Sequence, residues 1–419
     1  MYKIKEVRIK DLWGIKDINL NLNIDINFLI GRNGSGKTTV LNILTSTLNL
    51  NLTDIENLDF RKVEIILIKG RRTKKISLEK KYEQEKEIVY KISNNRYNLS
   101  DRIIREYLRW GNSSPRIIHN RVNLDKLRTE LKEIIDINLL DTNRLTKNNR
   151  DIFEREGYEE YRYEYRRTIL NPINIKLNFL IKELKTYKLT LKAKLETLTA
   201  DFQRKVLELL IYNEDSDNIE DDKIDYNMIS QIENDLKDFY KEFNYHQKDI
   251  NKQIANHTAI LKNEIKKKSL KEGYKTNLAL LTRTKKVLEI VKELKKEKDK
   301  ILSPINLYLE KLNLFMEEKE YSITEDGELK INLRKNNKEI RLEELSSGEK
   351  QIIILLTETL LQKNKANVFI ADEPEISLHI AWQRILVDAI LELNSEAQII
   401  FATHSPDIVD KKKKYIINM

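Results

Sequence analysis

The chain has no cysteine, which excludes disulfides, thiol nucleophiles and thiolate-held metals. It has no apolar run approaching the roughly 18 to 20 residues that a membrane-spanning helix needs. Its first residues, MYKIKEVRIK, interleave charge with apolar side chains, whereas a signal peptide sets charge ahead of an apolar block. Together these absences predict a soluble, cytoplasmic protein without a membrane partner. Acidic residues are outnumbered, 67 Asp and Glu against 76 Lys and Arg, for a formal charge of +9. That balance suits a nucleic-acid partner, and it equally suits lysine-rich helices solvating themselves. Charged residues make up 34% and hydrophobic residues 40% of 419, enough for a sizeable core together with long solvated helices.

Glycine is scarce, ten in all, yet Gly31, Gly34 and Gly36 fall within six positions of the stretch FLIGRNGSGKTTVL. With Lys37 and Thr38 they complete the pattern G-x-x-x-x-G-K-[ST]. Upstream, INFLI (26–30) reads as a buried strand, and downstream TTVLNILTSTL places Leu41, Leu44 and Leu48 at helical spacing. That strand, loop and helix is the setting in which backbone N–H groups and a helix N-terminus cradle phosphates. Arg32, Asn33, Gly34, Ser35, Gly36, Lys37, Thr38 and Thr39 are the expected triphosphate site. Lys37 is expected on the β- and γ-phosphates and Thr38 on Mg²⁺.

A second apolar run, Val368 to Ile370, ends in Asp372 and Glu373. A carboxylate at a strand end beside the phosphate loop can hold the metal and the next can orient water, so Asp372 is expected on Mg²⁺ and Glu373 on the water. A third run, Ile399 to Phe401, ends at Thr403 and His404, with the amphipathic AWQRILVDAILELN between. Strand, helix and strand in this order bring both strand ends to one edge of a parallel sheet. His404 is then expected to reach the γ-phosphate. His119, His246 and His257 have no such context, and His379 belongs to the loop after the acidic strand.

Between cradle and acidic strand, Ser346, Ser347, Gly348 and Glu349 open another amphipathic helix, a second anion-binding helix start. LSSGEKQ resembles the signature motif of ABC-type ATPases, and the remaining motifs follow in that family's order. DEPEISLHIAWQ joined to IIFATHSPDIV resembles the OLD and RecF-like branch, including the anti-phage ATPase subunits of PARIS (AriA) and Septu (PtuA). The resemblance covers roughly residues 1–60 and 335–410. It implies an α/β fold, an ABC-ATPase head with a P-loop NTPase core and mixed sheet, that binds ATP and Mg²⁺. It also implies a head-to-tail homodimer, or a higher homo-oligomer, in which the signature of one copy closes on the ATP of another. The family's metal- and water-contacting glutamine has no counterpart here; LLDTNRL offers Asn143 in its place. The nuclease domain of OLD proteins is not expected, and no C-x-x-C or H-E-x-x-H pattern supplies a metal nuclease.

The middle of the chain reads differently. VEIILIKG, KKISLEKKY and EIVYKIS suggest an antiparallel sheet. From about 172 to 318 the pattern is long charged helices, with Leu177, Leu184, Leu191 and Leu198 seven apart, an acidic break over 213–225 and a further break at Gly273. This predicts a helical insertion, an antiparallel coiled coil or bundle, or else a helical subdomain packed on the head. YSITEDGELKINL reads as a hairpin turning at Asp326 and Gly327. The expected division is an N-terminal lobe over 1–150, an insertion over 151–318 and a C-terminal lobe over 319–419. Tyr158, Tyr161, Tyr163 and Tyr165 read as a linker in preference to an interface, and Lys411 to Lys414 as a charged tail in preference to a nucleic-acid contact.

The leading expectation is an ATP-hydrolysing sensor or scaffold subunit of an anti-phage defence system. It would control a separate effector, a TOPRIM-like or HNH-like nuclease, in response to a phage protein or nucleic acid. The alternative is a RecF-like or SMC-like ATP-dependent DNA clamp in repair. A transporter ATPase fits poorly, because a long helical insertion has no place between transporter motifs.

Overall fold

A computed structural model describes residues 1–81, 87–100, 104, 118–140, 172–210, 226–242, 248–267 and 272–419. The chain opens with β1 (Lys3–Leu12) and β2 (Lys16–Asn21), followed by β3 (Ile26–Ile30), α1 (Lys37–Leu48) and the short α2 (Leu52–Asn57). Four strands follow, β4 (Lys62–Lys69), β5 (Arg72–Lys81), β6 (Glu87–Ile92) and β7 (Asn95–Ser100), then α3 (Ile118–Ile134) and β8 (Ile137–Leu140). Long helices come next: α4 (Pro172–Leu210), α5 (Tyr226–Glu242), α6 (Lys248–Lys267) and α7 (Glu272–Phe315). The hairpin β9 (Lys319–Ile323) and β10 (Leu329–Leu333) leads to α8 (Ser347–Leu361), β11 (Asn367–Asp372), α9 (Ile380–Leu393), β12 (Ala397–Ala402), the single turn α10 (Pro406–Val409) and β13 (Ile416–Asn418). None of the described helices is long and apolar enough to cross a membrane.

Apart from the two-stranded β9–β10 sheet, two sheets divide the described strands by their sequence pattern. Alternation of apolar with charged residues makes half-buried strands. Ile4, Val7 and Ile9 of β1, Val63, Ile65 and Leu67 of β4, and Ile76 and Leu78 of β5 point inward with no exposure, while the residues between them, such as Arg8, Glu64 and Ser77, are at least partly exposed. These strands pair antiparallel in the order β2-β1-β4-β5-β6-β7. Short apolar runs, with Asn27 inside β3 and Gln398 inside β12, instead make β3, β11 and β12, which are buried on both faces. They form a parallel sheet in the order β13-β3-β12-β11-β8. Phe28, Phe369 and Phe401 are wholly buried there, each contributing about 2 to 3 kcal/mol by removal from water.

One hydrophobic core joins both sheets through Val40, Leu41, Ile43 and Leu44 of α1. Gln398 is the polar stitch between them. Its Oε1 accepts from the Ile4 N–H at 2.7 Å, and its Nε2 donates to the Ile4 carbonyl at 2.6 Å and the Asn23 carbonyl at 2.7 Å. The side chain thereby pairs with β1 where its register against β4 slips, between Ile4 and Glu6. Those backbone groups would otherwise be buried unpaired.

The chain forms two compact units, Met1–Tyr187 with Pro304–Met419, and Lys188–Ser303. Both boundaries fall inside helices. In the first unit, the base of α4 buries Leu177, Leu180 and Leu184, and Lys176 pairs with Glu358 of α8 at 2.8 Å. The last turns of α7 bury Tyr308, Leu312 and Phe315, and the Tyr308 hydroxyl bonds Thr357 of α8 at 2.9 Å. In the second unit, the heptad seam of α4 buries Leu191 and leaves Leu198 half-buried. There α5 is tied to α6 by Glu233–Lys262 at 2.9 Å and to α7 by Lys292–Asp235 at 2.6 Å. Hydrogen bonds from Lys237 and Lys262 hold the Glu233 carboxyl down at about 2.

Gly273 lies in the first turn of α7, so a helix start falls at the expected break after α6, and α7 runs on through Pro304. Pro304 has no N–H for the Lys300 carbonyl, and the Ser303 hydroxyl donates to that carbonyl at 3.0 Å. The lysines from 411 are not simply a solvated tail: Lys412 pairs with Asp388 at 2.9 Å, and the segment ends in β13, added beside β3. The tyrosine-rich stretch over 158–165, the acidic segment over 213–225 and Asn143 lie outside the described residues.

Candidate functional site

Strand register places the motifs. Leu29 of β3 pairs with Ala402 of β12, and Ala402 pairs with Asp372 of β11, so the three strands finish level at one edge. The histidine strand β12 lies between the other two, so the carboxylate strand is not the immediate neighbour of the phosphate-loop strand. With neighbouring strands about 4.8 Å apart, β3 and β11 are separated by roughly 10 Å. The loops that leave this edge carry Gly31 to Gly36, Glu373 to His379, and Thr403 to Ser405.

In the first loop, Gly34 and Gly36 adopt left-handed φ angles of 80° and 100°, and the Ser35 N–H donates to the Arg32 carbonyl at 3.0 Å. Gly36 is the residue before α1, and no side chain caps that helix start, leaving its N–H groups for an anion. Space also demands glycine. A Cβ on Gly31 would lie 2.7 Å from Ser35 Oγ and 2.8 Å from the Met419 carbonyl, and one on Gly36 would lie 3.1 Å from the Trp13 ring. The Lys37 ammonium is buried and donates to the carbonyls of Gly31 at 2.9 Å and Arg32 at 3.4 Å. Among the described residues its hydrogen bonds go to carbonyl dipoles, and a phosphate would supply an anion there. Arg32, Asn33 and Gly34 are exposed, Thr38 and Thr39 half-buried. Lys16 of β2 reaches across to donate to the Ser35 carbonyl at 2.6 Å, its ammonium 5.3 Å from the Trp13 ring centre.

After β11, Glu373 takes a left-handed φ of 48°, which costs a non-glycine residue about 1 to 2 kcal/mol. Its N–H donates to the Ala402 carbonyl at 2.8 Å, which ties it to the end of β12. Asp372 Oδ1 is buried and has no hydrogen-bond partner among the described residues. The start of α8 packs on this same loop. Gln351 donates to the Pro374 carbonyl at 2.9 Å, and Gly348 lies so close to the Ser377 carbonyl that a side chain has no room. Ser346 caps α8, and Glu349 bonds back to the Ser346 N–H at 2.8 Å while pairing with Lys319. Burial pushes the Glu349 carboxyl up, but the Lys319 and Ser346 bonds outweigh it and hold the carboxyl below its ordinary value. Ser346 and Ser347 themselves face solvent.

His404 is exposed at the end of β12, and its backbone N–H donates to Glu375 Oε1 at 2.9 Å. His379 has a structural role, accepting from the Ala381 N–H at 3.3 Å at the start of α9.

Residues 2–409 match the family described as AAA ATPase domain. The chain belongs to that family. The probable ATPase of retron Ec83 from Escherichia coli is 32% identical over 85 residues, which cover 18% of this chain and only 16% of that relative's length. A Smc head domain with an extended coiled coil from Pyrococcus furiosus, bound in its crystal to the C-terminal domain of ScpA, superposes with a TM-score of 0.44. It is 15% identical, over 100% of this chain and 93% of that one. The SMC head domain from Thermotoga maritima gives 0.40 at 10% identity, over 97% and 91%.

An AAA ATPase domain handles nucleotide with magnesium, and the donor set here fits that ion. Asp372 offers an orphaned buried carboxylate oxygen and Thr38 a half-buried hydroxyl, the oxygen ligands a hard cation takes. The structure brings the phosphate loop, Asp372, Glu373 and His404 to one sheet edge, and packs the Ser346 to Glu349 turn on the carboxylate loop. Glu375 is the residue that sequence reasoning passed over. Its bonds reach Thr403, His404 and Ser405, far away along the chain, and nothing in DEPE sets it apart from a solvated glutamate.

Proposed function

We propose that this ATPase domain binds Mg²⁺-ATP on the 31–39 loop and hydrolyses it, with catalysis completed by a second copy. The observation that carries this reading is the level ending of β3, β12 and β11, which delivers a phosphate cradle, two carboxylates and a histidine to one edge. Arg32 to Thr39 would bind the triphosphate, and Lys37 would exchange its loop carbonyls for phosphate oxygens. Asp372 and Thr38 would hold a Mg²⁺ ion, which would supply charge neutralisation at the transferring phosphoryl group. Glu373 would orient and deprotonate the attacking water, and His404 would contact the γ-phosphate. Exposed Ser346 and Ser347, on a capped helix start, would meet the ATP of a partner copy head to tail, as in ABC-type ATPases.

At the cellular level the reading is an OLD-like sensor or scaffold of anti-phage defence, akin to PARIS and Septu ATPases, that controls a separate effector nuclease. Similarity to a retron ATPase supports it. Coexpression with the products of neighbouring genes tests it. A nuclease-like protein should copurify with the wild type, and its retention should change in Lys37→Ala and Glu373→Gln. Absence of any bound partner in all three would contradict the defence reading. The formal charge of +9 is compatible with a second reading, an ATP-dependent DNA clamp in repair. That reading requires ATP-dependent DNA binding that weakens steeply with salt, because phosphate contacts release counterions.

A further inference from the structure

Glu375 lies on the loop after β11, yet its bonding is to the loop after β12. One oxygen, Oε1, accepts from the Thr403 hydroxyl at 2.7 Å, the His404 N–H at 2.9 Å and the Ser405 N–H at 3.1 Å. A carboxylate oxygen satisfies three converging donors better than a neutral acceptor can, because charge strengthens each bond. The other oxygen, Oε2, is buried with no partner among the described residues.

The link continues past Glu375. The Ser405 hydroxyl donates to Gln383 Oε1 at 2.6 Å, and Gln383 Nε2 donates to the Leu378 carbonyl at 2.9 Å, back on the first loop. The Glu373 N–H adds its own bond to the Ala402 carbonyl at 2.8 Å. Two loops from adjacent strands are thus closed into one hydrogen-bonded ring. Glu373 stands at one end of it and His404 at the other.

We propose that Glu375 is a positioning residue that holds the His404 backbone in register with Glu373, so that the water-orienting carboxylate and the γ-phosphate contact move as one body. This rests on the hydrolysis reading above. Glu375 touches no nucleotide in this scheme; it acts through the loop it fastens. Removing it should therefore slow turnover while leaving nucleotide affinity in place, since the phosphate loop and Asp372 are built by other contacts.

The test compares wild type, Glu375→Ala, Glu375→Gln and Thr403→Val in two measurements. The first is steady-state ATP hydrolysis, with binding of a fluorescent ATP analogue alongside. Glu375→Ala should lose about tenfold or more in kcat with KM and analogue affinity within about twofold, the pattern of an interaction needed only for turnover. Glu375→Gln keeps an acceptor oxygen but loses the charge and should recover part of the rate, and Thr403→Val, lacking one donor, should also fall between Glu375→Ala and the wild type. The second measurement is amide hydrogen exchange without nucleotide. Peptides containing His404 and Ser405 should lose protection in Glu375→Ala, while those from β3 and β12 should not. Unchanged exchange at His404, or equal rate losses in Glu375→Ala and Glu375→Gln, would overturn the proposal. A loss of protection in a protein whose wild type turns over no ATP would leave the positioning intact and refute the hydrolysis reading.

Discussion

At the scale of single residues, the site depends on backbone conformations that few side chains tolerate. Gly36 combines a left-handed φ of 100° with the Trp13 ring 3.1 Å from where a Cβ would be, whereas Gly34, at 80°, opens onto free space. The two substitutions therefore separate strain from crowding. Gly36→Ala should destabilise the protein by about 1 to 2 kcal/mol and weaken ATP-analogue binding about tenfold or more, because the helix start must shift. Gly34→Ala should be the milder of the two in both thermal melting and analogue titration. Equal effects would mean that Trp13 does not crowd the loop. Gly36 was legible in sequence because the phosphate-loop pattern is local. Trp13 and Glu375 were not, since each acts only once distant segments meet. Asn143, put forward as a metal or water ligand, lies outside the described residues.

At the scale of elements, local pattern accounts for most of the ATPase core. β3, β11 and β12 are built on short apolar runs, α1 and α9 have helical spacing, and the β9–β10 hairpin turns at a left-handed Gly327. β13 was hidden because a three-residue strand following a lysine run has no periodicity to read, and its partner β3 lies at the other end of the chain. Equally hidden was the fastening of α8 by both long helices, Lys176 of α4 on Glu358 and Tyr308 of α7 on Thr357. Tyr308 and Thr357 are wholly buried, and burial pushes the Tyr308 phenol up to about 12. Tyr308→Phe strands the Thr357 hydroxyl and should cost about 1 to 3 kcal/mol in denaturant unfolding. The double substitution Tyr308→Phe with Thr357→Val removes both polar partners and should recover much of that loss. If the double variant is as unstable as the sum of the singles, the bond is not what joins these helices.

At the scale of the whole molecule, the phosphate loop, carboxylates and histidine share a sheet edge, and the turn at the start of α8 packs on the carboxylate loop with Ser346 and Ser347 facing solvent. Exposed serines there have a purpose if those of one copy serve the nucleotide of another. The central claim is therefore that ATP joins two copies, and sedimentation of the full chain tests it most directly. Glu373→Gln with saturating Mg²⁺-ATP should at least double in mass relative to the same protein without nucleotide. Lys37→Ala and Ser347→Arg should remain at the nucleotide-free mass. A Glu373→Gln protein that binds ATP yet sediments unchanged would contradict the account.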